Sequence, residues 1–564
     1  MKSAFPVTAF AISYLAWMFC SCSQVSNQVS QASIDSINLK RGEIVVCGPG
    51  ELQLGTVEFE ISAPDEIKKD FNLGLSLLHS FEYDESEKVF ARIIDKQPQF
   101  PMAYWGIAMS NFHKVWPTLP TKEELEKGSR AVKIAKELDK KSKRESDYIE
   151  AVATFFEEWE QVDHRTRVVK YEKAMEKLYL DKPDDIEGAI FYALALDGAA
   201  NLSDKTYAKQ RKAGSILDSL YAKHPSHPGI LHYIIHSYDY PELAELALSS
   251  ARKYASVAPS SAHAQHMPSH IFTRLGLWDE AIKSDLAAVE AAKCYAEGAG
   301  IKGHWDEELH SLDYLMYSYL QKGQLKKAKE QLDYLKTITT VYPENFKVAY
   351  AFAAMPARYY LENKMWKDAA VMEFHPKDFP WQKFPWQKAI VHFARLLGNI
   401  HTGSINLAEA ELNELKTLHE TLLTQKDAYK ANQVNIQIKA GEAWIEFKKG
   451  NTEEALKLMA LAAEMENKTE KAPVTPGEII PASELLADLL MQLNRYDKAL
   501  EAYEADLIKH PNRFNGLFGA GLAAEKSNNY GKAKGYYAQF VKTAEEDPSR
   551  IEFRTARYFL VKAK

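Results

Sequence analysis

The sequence lacks the short motifs that identify the common enzyme classes. It contains no GxxxxGKS/T phosphate loop, no GxSxG nucleophile elbow and no HExxH zinc motif, and it has no CxxC pair outside the first 22 residues. A non-enzymatic role is therefore favoured over a catalytic one, and no catalytic residue is assigned.

The sequence also lacks a strong charge of either sign. Its 70 basic and 77 acidic residues give a net charge of −7 over 564 residues, which leaves no basic stripe for nucleic acid. We therefore exclude nucleic acid as a partner. Hydrophobic residues make up 46% and charged residues 26%, as in ordinary soluble proteins. The length exceeds that of a single compact core, so the chain forms either several domains or one elongated array.

Long hydrophobic runs are missing apart from an uncharged stretch from Ala4 to Phe19. This stretch follows Lys2 and is too short to span a membrane safely, so it predicts a secretory signal peptide over residues 1–22. Its end resembles the cleavage site of bacterial lipoproteins, which implies lipidation of Cys22. The resemblance predicts an exported, membrane-anchored lipoprotein of the cell envelope. Plain secretion and an uncleaved anchor are the alternatives.

Two short segments precede the main body of the chain. Residues 23–42 are rich in Ser, Gln and Asn and predict a flexible tether. Residues 43–64 predict a short β segment, a strand pair that turns at Gly48-Pro49-Gly50. Beyond the signal region the cysteines are Cys47 and Cys294. An exported location permits them to form a disulfide, and two free buried thiols are the alternative.

From Phe71 onward the pattern is that of amphipathic helices. Apolar residues recur at three- and four-residue spacing, with short breaks at Gly, Pro or Asn, so the fold class is all-α. Three segments share one helix-turn-helix signature: Gly276-Leu277-Trp278-Asp279-Glu280-Ala281, Gly323-Gln324-Leu325-Lys326-Lys327-Ala328 and Gly450-Asn451-Thr452-Glu453-Glu454-Ala455. The turn glycine ends the first helix, and the alanine lets the second helix pack closely.

The helical pattern repeats every 34 residues near the C-terminus, where Tyr496-Asp497-Lys498-Ala499 recurs as Tyr530-Gly531-Lys532-Ala533. The sequence resembles the tetratricopeptide repeat family, whose pattern is also matched in the first unit by Gly74, Ser86, Phe90 and Pro98. The resemblance implies an α-solenoid, a right-handed superhelix of helical hairpins whose concave groove binds a protein or peptide. We divide it into N-terminal repeats over 65–200, central histidine-rich repeats over 201–345 and C-terminal repeats over 346–564.

Histidines recur at the same period. His232 and His236 are followed 34 residues later by His266 and His270, so repeat stacking places four imidazoles on equivalent positions of neighbouring helices. Packed helices lie about 8–10 Å apart, which lets the two pairs approach one ion. These four histidines are the predicted ligands of zinc or another divalent transition metal.

Further polar residues fall at groove positions when Gly276 is counted as position 15 of its unit. The resemblance implies that they bind a ligand or support the metal; they are His263, Arg274, Asp239, His310, Asp313 and Tyr317. Two other interpretations stay open. The cluster is a metal-free pocket whose arginine and imidazoles hold an anionic peptide or small molecule, or it is a satisfied polar seam between helices.

The sequence favours a cell-envelope scaffold that holds a peptide, a protein segment or a small ligand in its groove. One alternative is an exported metal-dependent enzyme of the hydrolase kind, in which Glu307 or Glu308 is the general base for a metal-bound water. Another is a component of glycan uptake. The sequence identifies neither the ligand nor the oligomeric state.

Overall fold

The computed structural model describes residues 1, 28–45, 47–48, 52–112, 119–201, 204–545 and 547–562. Helices dominate throughout this part of the chain, as an all-α solenoid requires. Within these ranges, every helix is too short or too polar to cross a membrane. Residues 2–22 of the predicted signal peptide, including the predicted lipidation site Cys22, lie outside the described residues.

The N-terminal repeats pack as successive hairpins. Their helices are α1 Gln31–Asp35, α2 Asp65–His79, α3 Tyr83–Lys96, α4 Pro101–Phe112, α5 Lys122–Glu137, α6 Lys143–Phe156, α7 His164–Asp181 and α8 Ile186–Gly198. Small residues let these helices approach, because a Cβ at Gly106 would lie 2.4 Å from the ring of Phe90. Ser86 Oγ also donates to the carbonyl of Gly74 at 2.8 Å. The residues of the repeat pattern therefore lie at the contacts between helices.

The central repeats contain one broken helix and a minimal sheet. Their elements are α9 Ala208–Tyr221, α10 Pro228–Tyr238, α11 Ala244–Val257, α12 Ala262–His266, α13 Pro268–Arg274, α14 Trp278–Gly298, β1 His304–Trp305, α15 Asp306–Gln321, α16 Leu325–Thr337 and β2 Val341–Tyr342. The break between α12 and α13 falls at Met267, before a proline that cannot donate a helical hydrogen bond. Strands β1 and β2 pair in parallel.

The C-terminal repeats extend the array to the end of the described chain. Their helices are α17 Phe346–Glu362, α18 Trp366–Ala370, a 3-10 turn Trp381–Lys383, α19 Pro385–Thr402, α20 Ile405–Thr424, α21 Ala428–Lys448, α22 Thr452–Asn467, α23 Ala482–Gln492, α24 Tyr496–Lys509, α25 Phe514–Lys526, α26 Tyr530–Thr543 and α27 Ile551–Lys562. The signature glycines Gly276, Gly323 and Gly450 have φ of +64°, +68° and +86°. Each ends a helix in the left-handed conformation that favours glycine.

The N-terminal segment differs from the β-hairpin that its sequence predicts. In its described residues it runs extended across the repeats, and Val57, Phe59 and Ile61 are buried. Its backbone bonds to interhelical loops, with Thr56 N donating to Ser226 O at 2.9 Å. Because those loops supply its hydrogen bonds, it needs no partner strand. The sheet of this protein forms instead between β1 and β2.

The predicted tether also differs from the structure over its described part. Residues 31–35 form α1, and Ile34, Ile37 and Leu39 are buried in the same core as the first repeats. These three apolar side chains outweigh the polar composition of the segment, because burial of each stabilises the packed state. The chain therefore joins the folded body well before residue 42.

Contacts between distant parts close the array. Cys47 and Cys294 form a disulfide across 247 residues, with their Cα atoms 5.9 Å apart. On the opposite side, the Trp278 indole donates to the carbonyl of Asn512 at 2.9 Å. Next to it, the fully buried Arg513 pairs with Glu362 and Glu484. The central repeats are thus covered by both ends of the chain.

The turn between α24 and α25 holds the main ion pairs of this closure. Arg513 lies 2.7 Å from Glu362 and 3.0 Å from Glu484. His510 lies 2.8 Å from carboxylate oxygens of both Glu478 and Asp506. These charges are buried, and each is stabilised by an opposite charge rather than by water.

The segment between α22 and α23 fills the inner face of the array. Lys471 is buried with its Nζ 3.6 Å from Asp239. The Arg358 guanidinium donates to the carbonyl of Gly477 at 2.6 Å. Part of the surface that a tetratricopeptide array usually offers to a ligand is therefore covered here by the chain itself.

Candidate metal centre

Six histidines of the central repeats face one another inside the array. His232 and His236 lie on α10, His266 and His270 lie on either side of the break between α12 and α13, and His263 and His310 come from α12 and α15. His232, His266, His270 and His310 are buried, whereas His236 and His263 are half-buried. The helices thus bring together side chains that are up to 78 residues apart in sequence.

The first group, which we call the first trio, consists of His232, His236 and His263. The Nε2 atom of His232 lies 3.0 Å from that of His236 and 3.2 Å from that of His263. One ligand atom from each member lies within 4.8 Å of the others. Tetrahedral ligation at about 2.1 Å places ligand nitrogens about 3.4 Å apart. The trio therefore needs only small side-chain movements to bind one ion.

The second trio consists of His266, His270 and His310. The Nε2 atoms of His266 and His270 are 3.1 Å apart, and the ring centroids of His266 and His310 are 4.3 Å apart. Ligand atoms of all three again lie within 4.8 Å of one another. Each trio supplies three nitrogens, which leaves the fourth position of a tetrahedral ion open.

This grouping corrects the single four-histidine shell that the sequence predicts. The i, i+4 pairs do not combine into one shell, because each pair is completed by a third imidazole: His263 for the first and His310 for the second. Those two residues were expected to be outer partners and instead lie among the candidate ligands. The reason is that the third imidazole of each trio comes from outside its i, i+4 pair: His263 Nε2 lies 3.2 Å from His232 Nε2, and the ring of His310 on α15 lies 4.3 Å from that of His266.

Outer hydrogen bonds orient the rings. Nδ1 of His232 donates to the carbonyl of His79 at 2.6 Å, which leaves its Nε2 lone pair facing the other imidazoles. Nδ1 of His270 lies 3.0 Å from Asp239, and Nδ1 of His266 lies 2.8 Å from Asp285. Metal-binding histidines almost always have such a partner on the second nitrogen. The arrangement is therefore typical of a metal site.

Burial keeps the imidazoles of His232, His236, His266, His270 and His310 neutral. Desolvation lowers the pKa of His266 and of His270 to about 3. Desolvation and the neighbouring histidines lower the pKa of His232, His236 and His310 well below the usual value. Only a neutral imidazole can bind a metal, so no proton needs to be displaced from these rings at neutral pH.

Asp239 lies at the centre of the outer network. It accepts from Arg274 Nε at 2.8 Å as well as from His270, and Lys471 lies 3.6 Å away. Burial by itself raises the pKa of Asp239. The positive charges of Lys471 and Arg274 outweigh burial and hold this pKa well below its usual value. Burial and Arg274 lower the pKa of Lys471 to about 8. Asp239 is therefore an ionised acceptor that fixes the proton of His270 on Nδ1.

Three predicted groove residues do not line an open surface. Arg274 is bonded to Asp239, and Asp313 lies 2.6 Å from Arg358. Tyr317 accepts a hydrogen bond from Arg513 at 3.0 Å. All three are buried, because the C-terminal repeats cover the positions that face a ligand in an open array. Their polar groups are therefore paired within the chain, and a ligand-binding role for them stays a prediction.

The structure distinguishes the two glutamates considered as general bases. Glu307 Oε2 lies 3.8 Å from Nδ1 of His263, and its other oxygen pairs with Lys347. Lys347 and His263 outweigh burial and lower the pKa of Glu307 well below its usual value. Glu308 instead contacts His304 at 2.8 Å, away from both trios. Only Glu307 lies beside the candidate ligands.

Sequence reasoning missed two features of this region. Asp285 lies on the buried face of α14, and an acidic residue among buried alanines at positions 281, 288 and 292 was the available signal. Glu187 lies 2.9 Å from both His79 and His227, forming a third buried group of possible ligand atoms. This group comes from three distant segments, and no spacing in the sequence indicates it.

Comparison with known proteins bears on the fold. The sequence model of the tetratricopeptide repeat family matches residues 484–550. The chain contains tetratricopeptide repeats. This match confirms, for the C-terminal part of the chain, the resemblance drawn from the 34-residue pattern. The described architecture is helical throughout, with one two-stranded sheet. No curated protein is similar enough in sequence to count as a relative.

Several solved structures are similar to this tetratricopeptide chain at low identity. Human IFIT1 in a dimer with m7Gppp-AAAA has 13% identity and a TM-score of 0.35, with 86% of this chain and 97% of that chain covered. The hetero-tetramer Cut9-Hcn1 of APC/C has 13% identity and a TM-score of 0.33, with 88% and 90% covered. Scores of this size identify neither a ligand nor a partner.

Proposed function

We propose that this tetratricopeptide protein binds two transition-metal ions, one in each histidine trio. The observation that carries the proposal is the orientation of the rings. Their outer nitrogens contact a carbonyl or a carboxylate in His232, His266 and His270, while their Nε2 atoms converge. Imidazole nitrogen suits zinc and copper, and the three-nitrogen shells leave room for an exogenous ligand.

Metal stoichiometry tests the proposal. Apoprotein loaded with excess Zn²⁺ or Cu²⁺ and then desalted is expected to retain two ions by elemental analysis. His263→Ala and His310→Ala are each expected to retain one ion, and the double variant none, because each substitution leaves two ligands in one trio. His392→Ala is the matched control, since His392 is also buried and lies 2.6 Å from a carboxylate outside the trios. Retention of no ion by the folded native protein contradicts the proposal.

A second candidate function is metal-assisted hydrolysis. The position of Glu307 favours it, because this carboxylate lies beside the first trio, 3.8 Å from the outer nitrogen Nδ1 of His263, and would serve as general base for a metal-bound water once its side chain turns toward the ion. Zinc-loaded protein should then hydrolyse members of an ester and peptide panel, and Glu307→Gln should lower the rate about 100-fold or more without loss of metal. Equal rates for Glu307→Gln and the control Glu308→Gln contradict this function.

The tetratricopeptide fold is typical of protein-binding scaffolds, and we propose that this one works at the cell envelope. The disulfide between Cys47 and Cys294 supports an exported location, because such bonds persist in oxidising compartments. Membrane fractionation of the native protein and of Cys22→Ser tests the lipid anchor. The native protein is expected in the membrane fraction and the variant in the soluble fraction.

A further inference from the structure

The two trios lie next to each other, and the ring separation between them is slightly longer than the longest separation within either trio. The ring centroids of His236 and His270, which belong to different trios, are 6.4 Å apart. Within the first trio, His236 and His263 are 6.3 Å apart, and within the second, His270 and His310 are 6.0 Å apart. The six imidazoles therefore form one continuous cluster, and ions in the two trios are neighbours.

The donor atoms of the cluster restrict the metal. Among the described residues, the two trios contain imidazoles alone, without a carboxylate or a thiolate. Paired iron and manganese sites in helical proteins are built on glutamate carboxylates, which these trios lack. Imidazole ligands suit copper, and Cu²⁺ binds most tightly of the first-row divalent ions. An all-imidazole pair of sites thus favours copper.

The ligand between the two ions has to come from solution. Glu307 is the carboxylate beside His263, and its oxygens are directed toward Lys347 and the outer nitrogen of that ring. His263 and Glu307 each keep 15% of their side chain exposed, so a small molecule reaches the cluster from this edge. Tyr314 stacks on His270 with centroids 4.8 Å apart and closes the other side.

We infer that the two trios form one dinuclear copper centre that binds dioxygen between its ions. In the reduced form each trio holds Cu(I). Each copper ion gives one electron to dioxygen, so that two copper–oxygen bonds form, the oxygen–oxygen bond order falls from two to one, and both ions become Cu(II). No proton and no further reductant take part, and release of dioxygen reverses the step. This inference rests on the proposed binding of two ions.

Magnetic coupling and gas uptake test the inference on the full chain. Apoprotein is loaded anaerobically with two equivalents of Cu(I) and exposed to dioxygen in a calibrated electrode cell. Uptake of one dioxygen per protein is expected. The electron paramagnetic resonance signal of the product should account for less than about one tenth of the bound copper, because the spins of two bridged Cu(II) ions couple and cancel. His310→Ala should bind one copper and take up no dioxygen, whereas His392→Ala should behave as the native protein.

The outcomes separate this inference from the proposed function. Two bound Cu(II) ions with two full spins per protein, or absence of dioxygen uptake by protein that holds two Cu(I), overturn the dinuclear centre while metal binding stands. Failure of the folded native protein to retain any ion overturns the proposed function itself. If His310→Ala does not fold, His263→Ala in the other trio gives the same comparison, and the native spin count needs no variant.

Discussion

Replacement of Asp239 by asparagine changes the proton on one candidate ligand while the size of the side chain stays the same. Asp239 accepts hydrogen bonds from Arg274 Nε at 2.8 Å and from His270 Nδ1 at 3.0 Å. A guanidinium can only donate, so the asparagine oxygen has to face Arg274. Its amide group then faces His270 and needs an acceptor there.

The consequence for the metal follows from the histidine tautomer. To accept from the new amide, Nδ1 of His270 has to lose its proton, which moves to Nε2 and occupies the lone pair that would bind the ion. Loss of such an outer partner typically costs about 10- to 100-fold in metal affinity. This corresponds to about 1.4–2.7 kcal/mol. We expect the loss in the second trio, because His270 is the candidate ligand whose Nδ1 donates to Asp239.

Variants with a single site allow the two affinities to be measured separately. Asp239→Asn combined with His263→Ala reports the second trio, and combined with His310→Ala it reports the first, in competition titrations against a chromophoric chelator. Asp197→Asn is the control, since Asp197 is buried and accepts from Ser237 at 2.7 Å. Equal loss of affinity in both trios, or no loss in the second, would refute the reasoning.

The remaining predictions concern the closure of the array. Arg513→Ala should lower the free energy of unfolding in urea by about 3–5 kcal/mol, because two buried carboxylates lose their partner; a loss below about 1 kcal/mol contradicts the buried pairing. Burial alone lowers the pKa of His510, yet its two carboxylate partners raise it to about 9. Its stabilisation is therefore fully present below about pH 6.5 and lost as the pH rises through 9, a change of about 3 kcal/mol that should vanish in His510→Gln. Cys47→Ser should cost about 2–4 kcal/mol in unfolding free energy, and addition of Cys294→Ser should cost nothing further, since one bond accounts for both.

The sequence predicted the helical architecture, and the same repeat pattern predicted which helices carry neighbouring histidines. Repeats place equivalent positions on equivalent faces, and His236 and His270, which are 34 residues apart, have ring centroids 6.4 Å apart. The turn glycines likewise identified where helices end, as the positive φ of Gly276 shows. Helix ends and helix faces could be predicted because they recur in every repeat unit, so the pattern of one unit gives their positions in the next.

Features that depend on contacts between distant segments could not be predicted. The division into two trios depends on the contacts of His263 with His232 and of His310 with His266, which the 34-residue spacing does not reveal. The burial of Arg274 depends on the covering of the inner face by residues around Lys471, almost 200 positions away. The alternating apolar residues near Val57 correctly indicated an extended backbone. Alternation in one segment does not show whether its backbone will form hydrogen bonds with another strand or with loops.

The closed array gives the imidazole cluster a hydrogen-bonding problem that a metal solves. The arginines at the inner face have carboxylate partners within the chain, so their burial is compensated. His232 and His270 direct their N–H groups outward, to a carbonyl and to an ionised carboxylate, and therefore present Nε2 lone pairs to other imidazoles. A neutral imidazole has one N–H, on either Nδ1 or Nε2. A neighbouring histidine that donates from Nε2 to one of these lone pairs therefore cannot also donate from its Nδ1 to an outer acceptor. One cation per trio would accept three lone pairs at once, and this supports the proposed metal sites over a polar seam between helices.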